Sequence, residues 1–214
     1  MKRTAAPVLL SLAAAVAIPS PVLARAPKSR SRSCVGPRAR VLARGPAVAV
    51  YETSARVTGT RPAIWACLAG HAGHMTLLAG TLLNARVSLE GFELAGHIAA
   101  YLETQRGVDT SQTNIVVVDV GARRVLRAQL AGDSGPFGED WVGRFLVTSR
   151  GSVAWTSTSE ERRGPAVVSV YAAPREGSSA LLDRGAAIDA GSLSRSGTTL
   201  SWSDGGTVHT APLP

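Results

Sequence analysis

Four aromatic residues constrain this chain more than any other feature. Tyr51, Tyr101, Trp155 and Trp202 stand 50, 54 and 47 residues apart. Each closes a short apolar run, as in Ala47-Val-Ala-Val-Tyr51 and Ile98-Ala-Ala-Tyr101. A small or aliphatic residue precedes each aromatic (Val50, Ala100, Ala154, Ser201), and a glycine lies four to six positions upstream (Gly45, Gly96, Gly151, Gly197). In the first three rounds a second apolar run follows at a similar distance, at Ile64, Ile115 and Val167. A period of this size marks a repeat architecture. One such unit cannot bury its faces alone, so neighbouring units must stack. The glycine marks a turn, the aromatic packs between sheets, and its small neighbour allows close approach.

The runs between these landmarks are short and rich in branched and aromatic residues, with Gly, Pro and Asp between them. Asn114-Ile-Val-Val-Val-Asp119 is the clearest strand, and Asp204-Gly205-Gly206 reads as a hairpin turn. Hydrophobic residues make up 45% of the chain, which excludes a disordered protein. The expected fold is all-β, built from repeats of short antiparallel strands.

Gly151-Ser-Val-Ala-Trp155 followed by Val167-Val-Ser-Val170 resembles the repeats of TolB-type and WD-like β-propellers, as does Gly96-His-Ile-Ala-Ala-Tyr101 followed by Ile115-Val-Val-Val-Asp119. The resemblance covers about residues 40–213. The usual Ser-Pro-Asp-Gly turn is missing, and Ser149-Arg-Gly151 stands nearest to it. The chain also resembles small secreted bacterial proteins with an early Cys, an aromatic-x-Cys strand and a few such repeats. The resemblance implies propeller-like packing and a binding scaffold without catalytic residues. Three full rounds and half of a fourth give about three and a half to four blades. Such an array is open, or closed by N-terminal strands or by a homodimer, since a closed propeller typically needs at least four blades.

The first residues read as a secretory leader. Lys2 and Arg3 precede the apolar run Ala5–Ile18, and Val22-Leu23-Ala24 offers a cleavage site. The expected organisation is a signal peptide at 1–24, a basic arm at 25–40 and a repeat domain at 41–214. The apolar run is shorter than the ~20 residues of a spanning helix, and no other stretch suffices, so no membrane span is expected after cleavage. Residues 25–44 hold seven basic residues and no acid, whereas the residues after 44 hold 14 basic and 15 acidic residues. Arg30, Arg32, Arg38 and Arg40 are therefore candidate contacts to an anionic envelope polymer or a partner protein. The alternative is a solvated linker. No aromatic interleaves the arm, so bases have no stacking platform and nucleic acid is not expected. The two cysteines, Cys34 and Cys67, form an even pair in an exported chain and predict a disulfide. It would stabilise the fold by about 3 kcal/mol. The expected location is the cell envelope or outside the cell.

Chemistry-bearing motifs are sparse. Gly132-Asp-Ser-Gly-Pro136 resembles the nucleophile motif of chymotrypsin-like proteases with one glycine missing. It carries the alternative reading, a serine hydrolase in which Ser134 attacks, His71 or His74 with Asp109 or Asp119 assists, and Gly132 and Ser134 N–H groups hold the oxyanion. The bland reading is a polar turn between strands. Cys67, His71 and His74 have metal-like spacing, with His97 or His209 as a fourth ligand, but a disulfide would consume Cys67. Glu139-Asp140 and Glu160-Glu161 read as solvated acidic turns. No Walker-type phosphate loop is present. The leading expectation is an exported, non-catalytic scaffold with no metal or cofactor, whose binding surface lies in loops such as 156–164 or in the basic arm.

Overall fold

The computed structural model describes residues 34–54, 62–78, 86–135, 138–161 and 164–213. The expected leader and the arm up to Ser33, with Arg30 and Arg32, lie outside the described residues. The described residues form fifteen strands in three antiparallel sheets. The first sheet holds β1 (Arg40–Arg44), β2 (Val48–Thr53), β3 (Ala63–Leu68) and β4 (His74–Leu78). The second begins with β5 (Arg86–Ala95), β6 (Ile98–Arg106), β7 (Ser111–Asp119) and β8 (Arg124–Gly135). It continues with β9 (Gly138–Val147), β10 (Val153–Glu161), β11 (Val167–Ala173) and β12 (Ala180–Gly185). The third holds β13 (Ser194–Ser196), β14 (Thr199–Asp204) and β15 (Thr207–Pro212). Strands adjacent in sequence are adjacent in space, and no sheet closes on itself. The eight-stranded sheet is two four-strand meanders joined by a hairpin, because β8 and β9 pair only at Ser134↔Glu139 and Gly135↔Gly138. Among the described residues no helix is long and apolar enough to cross a membrane.

Side chains alternate across a strand, so each second strand presents two faces. Val48, Val50 and Ala66 of the first sheet pack on Ala99, Tyr101, Val116 and Val118. The opposite face of β6 and β7, with Ile98, Ala100, Ile115 and Val117, packs on Phe145, Val147, Val153 and Trp155. Ala154, Val168, Val170 and Ala172 then meet Leu193, Leu200, Trp202 and Leu213. The stack therefore has a direction. Each repeat aromatic faces the preceding meander, and the residue before it faces the next one. Among the described residues no meander precedes Tyr51, which packs instead with Cys67 against Cys34, Val35 and Ala39. Among the described residues no meander follows Ser201, whose hydroxyl shares a 2.8 Å hydrogen bond with Ser194 on an exposed face. That is the physical reason a serine stands where the earlier rounds carry Val50, Ala100 and Ala154.

The repeat glycines serve the turns that open these strands. Gly96, Gly151 and Gly197 all have positive φ, at 61°, 91° and 60°, where a Cβ would be strained. At Gly96 a Cβ would also stand 3.3 Å from the Ser149 Cβ of the next meander. The Cys34–Cys67 disulfide joins residues 33 apart and ties the segment before β1 to β3.

Several local expectations need correction. Gly132–Gly135 is not a turn but the end of β8, with Thr113↔Gly132 and Ser111↔Ser134 in register. A Cβ at Gly132 would stand 3.0 Å from the Asp140 carbonyl oxygen. The glycine thus admits a close strand approach where the sequence suggested a polar turn. Residues 156–161 are not loop either, since β10 runs on to Glu161. Thr156, Ser157 and Thr158 are buried. Buried hydroxyls need partners. Thr156 Oγ1 donates to the Ala190 carbonyl at 2.7 Å and accepts from Arg144 N–H at 2.9 Å. Glu139 and Asp140 likewise belong to β9.

Candidate anion-binding cleft at the turn end

A meander places alternate turns at the same end of the sheet. The β5–β6, β9–β10, β11–β12 and β13–β14 turns accordingly come together around a cavity of about 860 Å³. Three arginines line it: Arg150 and Arg175 from two turns, and Arg195 from β13. His97 joins them, and among the described residues Glu176 is the one acid in the lining.

Local chemistry fixes these turns. Thr148 N–H donates to the Ser152 carbonyl at 2.9 Å, and Gly151 N–H to the Thr148 carbonyl at 3.0 Å. Thr148 Oγ1 also accepts from Ser152 N–H at 3.0 Å and from Arg150 N–H at 3.3 Å. A threonine that caps two amides of its own turn holds the backbone that carries Arg150. Arg195 Nη1 donates to the Gly197 carbonyl at 3.0 Å. Arg175 Nε stands 4.0 Å from Glu176, whose side chain is 91% exposed. An exposed pair at that distance is weak. Beneath the turn Pro174–Gly177, Arg127 donates to the Gly177 carbonyl and fixes its position. His97 Nε2 approaches the Asp119 carboxylate at 3.5 Å, and the other Asp119 oxygen accepts from Ala122 N–H at 2.9 Å.

The cleft therefore carries three guanidinium groups against one solvated carboxylate. Guanidinium donors form a planar fork that matches phosphate or carboxylate oxygens in pairs. A concave surface of one sign also concentrates oppositely charged ligands.

Of the residues singled out in the sequence, His97, the suggested fourth metal ligand, lines the cleft, and the others are placed elsewhere. Arg38 is exposed and lines a separate cavity of about 400 Å³ with Cys34, Tyr51 and His74. Arg40 lies in β1 and pairs with Glu52 at 3.7 Å. Ser134 Oγ donates to the Asp140 carbonyl at 3.2 Å, and no described hydrogen bond joins it to a histidine. His74 Nδ1 shares a 2.7 Å hydrogen bond with the Tyr51 hydroxyl in the first sheet. Burial pushes that Tyr51 phenol above its ordinary range. Cys67 is spent in the disulfide, so the suggested zinc set loses its thiolate. A different cluster brings ligand atoms of Asp183, Asp204 and His209 within 4.8 Å of one another. Sequence spacing does not flag either it or the arginine cleft, because their members are far apart along the chain. The available signal for the cleft was the recurrence of Arg in or beside repeat turns. Compared with known proteins, the chain matches no family model and no curated protein.

Proposed function

We propose that this protein is an exported, non-catalytic binding scaffold of open propeller-like type that holds an anionic ligand in the turn-end cleft. The observation that carries the reading is the convergence of Arg150, Arg175 and Arg195, from two turns and β13, on one cavity. Each meander then corresponds to a blade, and the three-stranded sheet to a shortened last blade. The disulfide is compatible with a compartment outside the cytoplasm. The Ser/Thr-rich outer face of that last sheet favours an array that ends in solvent over a ring closed by a second copy, as solenoid ends carry polar caps.

The ligand chemistry is that of a phosphate- or carboxylate-bearing envelope polymer, in keeping with the basic arm that precedes the domain. Calorimetric titration with pyrophosphate and with trigalacturonate tests this and separates the two anion types. Binding should survive deletion of residues 25–33 and fall at least tenfold when Arg150, Arg175 and Arg195 are together replaced by Ala. Binding that instead vanishes with the arm, and is unmoved by the triple replacement, would place the ligand on the arm.

A further inference from the structure

The basic surface at the turn end does not stop at the cleft wall. Val120 N–H donates to the His97 carbonyl at 3.0 Å, which ties the β5–β6 turn to the β7–β8 turn at 120–123. That turn meets the first sheet. A Cβ on Gly121 would stand 3.5 Å from Leu68 Cδ1, and the Arg123 guanidinium fills the space where a side chain on Gly73 would stand. In the other direction, a Cβ on Gly96 would stand 3.3 Å from the Ser149 Cβ. From Ser149 the cleft wall runs on through Arg150 and Arg175 to Arg195 and Thr198. One continuous surface of turns thus crosses every joint between the described sheets and meanders. Arg123 stands at its first joint and Arg195 at its last.

Arg123 has an uncommon backbone. Its φ is 52°, and every other described residue with positive φ is a glycine. Left-handed backbone is sparsely populated for a long side chain, and such outliers cluster at functional positions. The residue is exposed, and among the described residues its guanidinium has no hydrogen bond or ion pair. Gly73 gives the side chain room to lie against the first sheet with its charge uncompensated. Turn geometry alone would favour glycine or asparagine here. Packed sheets lie about 10 Å apart, so Arg123 and Arg195, two layers from each other, are separated by on the order of 20 Å. A small anion reaches one station only. A chain with an anion on every unit reaches them in turn, and each contact after the first forms at high effective concentration.

We infer that Arg123 is a second anion subsite, and that the ligand of this turn end is a linear polyanion laid across the joints, with phosphate or carboxylate groups repeating along it. The inference rests on the anion cleft proposed above and extends it by one joint.

The test is calorimetric titration of the mature chain (residues 25–214) with short and long anions of both types. Pyrophosphate is compared with polyphosphate about fifteen units long, enough to cross two sheet spacings, and trigalacturonate with decagalacturonate. The two pairs separate a phosphate from a carboxylate source. Arg123→Asn removes the cation and suits a positive φ, so the turn is kept. It should weaken the long chain of the preferred type about fivefold, the upper range for one exposed charge pair, and leave its short counterpart unchanged. Arg123→Lys, which keeps the charge, should retain most of the long-chain affinity. Backbone amide shifts at residues 71–73 and 120–124 should accompany the long chain and not the short one. Long-chain affinity that Arg123→Asn leaves unchanged, or shifts that stay within the cleft for both lengths, overturns the inference and leaves the cleft reading standing. Failure of both short anions to bind is a separate result, and overturns the cleft reading together with this one.

Discussion

Trp155 and Trp202 hold the same place in successive meanders, and both are buried against the meander before them. Their polar edges differ. The fourth strand of the preceding meander supplies Asp183 to Trp202, whose Nε1 lies 2.7 Å from the carboxylate. His209 Nδ1 stands 3.5 Å from the same oxygen. For Trp155 the preceding fourth strand is β8, which carries Arg127 and Gln129. Arg127 Nη1 already donates to Gln129 Oε1 at 3.0 Å, and Trp155 Nε1 is left without a partner. The repeat sets where the ring sits, and the neighbouring strand decides whether its N–H is closed. One joint is finished internally, while the other leaves a buried donor without a partner.

Cutting both rings away should show what the two joints share. Trp155→Ala and Trp202→Ala should each cost about 3–5 kcal/mol, the usual range for deleting a buried aromatic. Urea unfolding measures this, and a loss under 1 kcal/mol at either position would deny that the ring fills a joint. Reduction of Cys34–Cys67 should cost about 3 kcal/mol by releasing the chain-entropy constraint. In hydrogen exchange the loss of protection should concentrate in the first sheet and spare both tryptophan joints. The contrast itself appears in the phenylalanine variants. Trp202→Phe removes a hydrogen bond to a charged acceptor, worth about 1.5–3 kcal/mol, whereas Trp155→Phe removes a donor that has no partner. Trp202→Phe should therefore be the more destabilised by about 1–2 kcal/mol in the absence of ligand. Equal losses would erase the distinction between the joints.

The smallest expected effect concerns pH at the joint before these two. Burial, and then the charge of Glu103, push the Tyr101 phenol well above its ordinary value. The unfolded chain gives up that proton first as the medium becomes alkaline, so the contribution is complete below about pH 10 and is lost above it. Stability should fall more slowly above pH 10 in Tyr101→Phe than in the parent chain. Parallel slopes in urea titrations from pH 9 to 11.5 would contradict this.

The stack was legible in the sequence because it depends on features that repeat locally. Tyr101, Trp155 and Trp202 pack between meanders as their spacing suggested, and Val50, Ala100 and Ala154 face the next one, whereas Tyr51 packs on the disulfide segment and Ser201 on an exposed face. The cysteine pair needed only its parity. Strand lengths were less legible. Ser and Thr at 156–159 look like loop residues, and only the carbonyl of Ala190, 34 positions from Thr156, explains why that threonine can be buried. Gly132 looks like a turn residue until the strand beside it is known. The cleft was not legible, since Arg150 and Arg175 come from two separate turns of one meander and Arg195 from the next sheet, all far apart along the chain. The open N–H of Trp155 depends on which acceptor β8 has already committed elsewhere, and no local pattern records that.

The claim that the turn-end cleft is the anion site is tested most directly by mapping backbone amide shifts on titration with pyrophosphate. The account predicts saturable shifts at residues 149–152, 175–177 and 195–198, with residues 34–44 unmoved. Shifts confined to residues 34–44, or no saturable shift at all, would contradict it.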